Sequence, residues 1–79
     1  MRIDKYLKVS RLIKRRTVAN EAADAGRISV NGRTVKASYD VKEGDIIEIA
    51  FAGRTLKAKV CSVAENVKKE NVSEMYELI

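Results

Sequence analysis

After Gly26 the apolar residues stop recurring at helical intervals and begin to alternate, and one dipeptide, Asn31-Gly32, anchors that switch. A two-residue type I′ turn needs positive φ at both central positions, which Asn followed by Gly supplies, so Ile28-Ser29-Val30 and Arg33-Thr34-Val35 are expected to close as a hairpin. Ile28 then faces Val35. A second turn is expected at Glu43-Gly44-Asp45, followed by a half-buried strand in which Ile47, Ile49 and Phe51 alternate with Ile46, Glu48 and Ala50. Ala52-Gly53 reverses the chain. Leu56, Ala58 and Val60 alternate with Lys57 and Lys59 on a return strand expected to reach Val63, which makes the sheet antiparallel.

Upstream of Gly26 the spacing is helical. Asp4 is expected to cap a helix beginning at Lys5, since a carboxylate accepts from free N–H groups and suits the positive helix end. One helix continuing to Arg16 would spread Ile3, Tyr6, Leu7, Val9, Leu12 and Ile13 over more than half its circumference. The chain is therefore expected to break near Ser10, giving a helix over about 5–10, a basic connector through Arg16, and a second helix capped by Thr17 and ended by a left-handed Gly26. Val18, Ala22 and Ala25, flanked by Ala19 and Ala23, give that helix a small-residue stripe suited to close packing. Tyr6 is assigned to the core. Near the end, Val72, Met75, Tyr76 and Ile79 keep a helical spacing. The fold class is α+β: two short N-terminal helices packed on a small twisted antiparallel sheet over residues 1–63, then a tail over 64–79 with room for a short helix.

Seventy-nine residues make one domain with a small core. The net charge of +5 is unevenly placed: residues 1–40 hold ten basic and four acidic side chains, and residues 41–79 hold six and seven. With no His and a single cysteine, Cys61, neither a zinc constellation nor a His-based catalytic pair can be assembled, and no cofactor is expected. The lone Cys61, expected to be a buried or neutral thiol at a strand end, points to a cytoplasmic chain without disulfides. No apolar run approaches the roughly 20 residues of a membrane span.

The constellation with chemical content is Arg2, Lys5, Lys8, Arg11, Lys14, Arg15 and Arg16, opposed within the first sixteen residues only by Asp4. Like charges held this close repel unless a polyanion neutralises them. The start of the second helix, with Thr17 and three adjacent cations, is suited to phosphate. Arg27 and Lys36 flank the hairpin and widen the basic face. The second helix continues Val18-Ala19-Asn20-Glu21-Ala22-Ala23-Asp24, which is poor in base-reading side chains, so recognition of phosphate and shape in structured RNA is favoured over a duplex DNA major groove. Asp4 lacks a second carboxylate for acid–base work and reads as a cap and an orienter of its cationic neighbours.

Met1-Arg2-Ile3-Asp4-Lys5-Tyr6-Leu7, Ser10-Arg11, Lys14-Arg15-Arg16-Thr17, Gly26-Arg27-Ile28-Ser29-Val30-Asn31-Gly32 and Val41-Lys42-Glu43-Gly44-Asp45, taken in order, resemble the S-four RNA-binding domain. Within that family the chain is similar to the short relatives of heat-shock protein fifteen, a likeness that extends to Glu74-Met75-Tyr76-Glu77-Leu78-Ile79. The resemblance implies a non-catalytic factor that binds large-subunit ribosomal RNA and tRNA on a large ribosomal subunit carrying a nascent chain, in ribosome-associated quality control. It further implies a partner factor that adds alanine tails. A monomer is expected, with Arg2 and Arg16 as the foremost RNA contacts and Asp4 as their orienter. An assembly or recycling factor for ribosomal RNA, and a protein-interaction module with a basic docking face, are the alternatives.

Overall fold

The computed structural model describes residues 1–65 and 67–79. Helix α1 spans Ile3–Val9 and α2 spans Arg16–Asp24. The strands are β1 (Ile28–Val30), β2 (Arg33–Thr34), β3 (Ile46–Phe51), β4 (Arg54–Val60) and β5 (Tyr76–Leu78), with a 3-10 helix at Lys69–Glu74 before the last. All pairings are antiparallel, in the order β2-β1-β3-β4-β5. This is the expected α+β arrangement.

The hairpin forms as its dipeptide demands. Asn31 and Gly32 adopt φ of 53° and 83°, and Val35 N–H donates to the Ile28 carbonyl. Asn31 also braces the second turn: its Oδ1 accepts from Ile46 N–H at 3.0 Å and its Nδ2 donates to Asp45 at 3.1 Å. Alternation buries Ile28, Val30, Ile47, Ile49, Ala58 and Val60, and all of these but Ala58 share one core cluster with Ile3, Tyr6 and Leu7 of α1. Each large aliphatic buried there contributes roughly 1.5–3 kcal/mol. Phe51, which the alternation placed on the same side as Ile47 and Ile49, is 36% exposed at the end of β3, with the Arg54 guanidinium 5.7 Å from its ring centroid.

Both helix starts differ from expectation. α1 begins at Ile3 after Arg2, because the amides of Ile3 and Asp4 donate to the carbonyls of Tyr39 and Ala37 and need no side-chain cap. Asp4 therefore sits inside the first turn, with its carboxylate left for other partners. α2 begins at Arg16 after Arg15, so Thr17 is a helical residue and not the cap. The buried stripe of α2 centres on Ala19 and Ala23, which leaves Val18 46% exposed. Between the helices the chain breaks as expected. Ser10 Oγ bonds the Leu7 carbonyl, Arg11 turns left-handed at φ 63°, and Ile13 N–H reaches back to Leu7. Gly26 ends α2 with φ 74°.

The carboxyl-terminal segment differs in detail. Its short helix is a 3-10 turn that stops at Glu74, and Tyr76–Leu78 pair with β4 instead of extending the helix. β4 ends at Val60, short of Val63, because the amides of Cys61 and Ser62 both turn to the Met75 carbonyl. Tyr6 Oη donates to the same carbonyl at 2.6 Å, tying α1 to this segment. Cys61 is exposed, which removes the buried alternative of the expected buried or neutral thiol, since it follows the inward-facing Val60 in the alternation.

Candidate RNA-binding surface

At the junction of α1 and α2 one carboxylate collects four donors. Asp4, 2% exposed, accepts from Arg2 through Nε and Nη2, each at 3.2 Å, in a two-pronged arrangement. Arg16 approaches from α2, with Nε 3.4 Å from Oδ2 and Nη2 3.5 Å from Oδ1. Asn20 Nδ2 lies 3.4 Å from Oδ2 and the Lys5 amide 2.8 Å from Oδ1. Burial is the largest single influence on Asp4 and favours its neutral form. The hydrogen bonds from Arg2, Asn20, the Lys5 amide and Arg16 together outweigh it, so the carboxyl is held below its usual 3.8.

The two guanidinium groups are held, not covered. Arg2 and Arg16 side chains remain 50% and 46% exposed, which leaves N–H groups on each for a second acceptor. α2 starts beside them with no capping side chain and no acidic residue in its first turn. Arg15 and Arg16 thus stand at the positive end of a helix, an unfavourable placement that an external anion would reverse. Thr17 and Asn20 line a shallow concavity with Asp4 and Arg16.

The remaining cations divide. Lys8, Arg11 and Lys14 line a separate groove together with Val9, Glu65, Val67 and Val72. Lys5 is engaged by Glu65, Nζ to Oε1 at 3.0 Å, and the hydrogen bond with Lys5 lowers the Glu65 pKa. Arg15 is exposed next to Arg16. Arg27 is exposed but lies past the far end of α2, whose nine residues rise about 1.5 Å each, so the structure does not bring it to the others. Asn20 and Glu65 went unrecognised in the sequence. Asn20 follows Arg16 by four positions and so shares its helix face, a signal that was present. Glu65 meets Lys5 across sixty positions, and local spacing carries no trace of that.

A small antiparallel sheet carrying two short N-terminal helices is the architecture of the S4 class of RNA-binding fold. The S4 domain family profile matches residues 1–47. The chain is 56% identical over 79 residues to the RQC P-site tRNA stabilizing factor of Streptococcus pneumoniae, covering 100% of this chain and 90% of that protein. It is 57% identical to the factor of the same name from Listeria monocytogenes, covering 86% of it. The fold matches heat shock protein 15 of Vibrio cholerae with a TM-score of 0.90 at 21% identity, over all of this chain and 81% of that one. The chain belongs to the S4 domain family and, within it, to the family of the RQC P-site tRNA stabilizing factors.

Proposed function

We propose that this protein is a non-catalytic docking factor that binds ribosomal RNA and tRNA on large ribosomal subunits blocked by peptidyl-tRNA. It acts there as a monomer in the cytoplasm and supports a partner factor that extends the nascent chain with alanine. The observation that carries the reading is the Asp4 junction: two half-exposed arginines are oriented by one buried carboxylate beside an uncapped helix start. Such a surface offers directed N–H groups to phosphate oxygens without reading bases, and its work is to position. The names of the relatives support tRNA on the ribosome as the target. Arg2, Arg15, Arg16 and Thr17 form the centre of the surface, Lys5, Lys8, Arg11 and Lys14 extend it, and Arg27 provides an outlying contact.

Co-sedimentation with large subunits carrying peptidyl-tRNA tests this. Arg16→Ala is expected to weaken binding about tenfold, the loss of one charge-assisted contact, while the thermal melt stays cooperative. Unchanged co-sedimentation of Arg16→Ala would contradict the reading.

A further inference from the structure

Away from the Asp4 junction, α1 and the chain after β4 enclose a groove of about 490 Å³, within the range of about 300–1,000 Å³ typical of small-ligand sites. Lys8, Arg11 and Lys14 supply its charge, and none of the three makes an ion pair among the described residues. The other lining residues are of a different kind: Val9, Val67 and Val72 offer apolar surface, and Glu65 offers a carboxylate already engaged by Lys5. Arg11 is also left-handed at φ 63°, a conformation that non-glycine residues keep when the surroundings or a function require it.

A plain run of duplex backbone would use the three cations and leave the apolar surface of Val9, Val67 and Val72 without a partner. The mixture suits a ligand that is anionic at one end and apolar at the other, with hydroxyl or amine donors between. We propose that the groove takes one unstacked nucleotide of the bound RNA, its phosphate against Lys8, Arg11 and Lys14 and its base against Val9, Val67 and Val72. Glu65 accepts from a hydroxyl or amine of that nucleotide and fixes which end lies where. The proposal rests on the RNA-docking reading and adds a second point of contact, specific for an unpaired residue.

The test uses the full chain and two RNA hairpins with the same stem, one fully paired and one carrying a single bulged nucleotide. Wild type is expected to bind the bulged hairpin at least fivefold more tightly. Lys8→Ala/Lys14→Ala, at two exposed positions, should bind both hairpins alike. Arg2→Ala/Arg16→Ala should lose affinity for both while keeping the ratio. Equal binding of the two hairpins by wild type, or a ratio that survives Lys8→Ala/Lys14→Ala, overturns the groove proposal and leaves the docking reading intact. Failure of wild type to bind either hairpin overturns both. If a glutamate-rich peptide binds wild type but not Lys8→Ala/Lys14→Ala, and the hairpins are not distinguished, the groove belongs to an acidic protein and the proposal falls.

Discussion

Arg16 reaches Asp4 across the break between the two helices, Nε to Oδ2 at 3.4 Å, and so fixes one helix against the other through a carboxylate that is almost fully buried. Asp4→Asn separates orientation from charge. The substitution raises the net charge from +5 to +6, and attraction to a polyanion on charge alone would strengthen. The orienting role predicts the opposite, RNA affinity lowered about tenfold, because hydrogen bonds to a charged acceptor are worth about 1.5–3 kcal/mol and a neutral amide holds the guanidiniums less firmly. Filter binding of a structured RNA at fixed salt decides between them.

The same carboxylate sets an acid limit on stability. Its folded pKa lies below the usual 3.8, so its contribution is fully present above that value and is lost as pH falls through the folded pKa. Asp40 and Glu65 are lowered as well, by the amino terminus and by Lys5, so the acid response of wild type is not that of Asp4 alone. The informative quantity is therefore the difference in melting temperature between wild type and Asp4→Asn. It should be constant from pH 7 to about 5 and shrink below about 4, whereas a difference unchanged down to pH 2 would remove Asp4 from the account.

Arg11→Gly should divide folding from binding. Holding an L-residue left-handed costs roughly 1–2 kcal/mol, and the extra freedom glycine gains in the unfolded chain offsets about 0.5–1 of that. Stability should stay level or rise by up to about 1.5 kcal/mol in urea unfolding. RNA affinity should fall, since one cation of the groove is gone. A destabilised Arg11→Gly with unchanged affinity would contradict both roles.

Tyr6→Phe tests the tie between α1 and the last strand. Burial, followed by the influence of Cys61 and Tyr76, holds the Tyr6 phenol well above its ordinary value, so it remains a neutral donor to the Met75 carbonyl. That carbonyl keeps the amides of Cys61 and Ser62, so the loss should be about 1 kcal/mol rather than the larger cost of an orphaned acceptor. Hydrogen exchange should quicken at Ile79, whose amide donates to the Lys57 carbonyl of β4, while affinity for RNA is unchanged.

What the sequence disclosed follows the range of the interactions. The hairpin at Asn31-Gly32, the break after Ser10 and the left-handed Gly26 depend on residues within a few positions of one another, and each was legible. The start of α1 was not, because its free amides are satisfied by Ala37 and Tyr39, which lie more than thirty positions away. β5 was hidden for the same reason: Tyr76 carries a helical spacing from Val72, yet its strand pairs with β4 and its helix ends at Glu74. At the candidate site the residue types could be read, and so could the contact of Asp4 with its cationic neighbours. The division of the cations between the Asp4 junction and the Val67 groove could not, since it depends on where Glu65 returns to α1.

The central claim is that cations of the first helix pair meet the phosphates of a folded RNA, and the salt dependence of binding measures it most directly. With about six phosphates neutralised, log affinity against log salt should have a slope of roughly −4 to −5 for wild type, and about one unit less steep for Arg16→Ala. A slope near zero, or equal slopes for the two proteins, would contradict it.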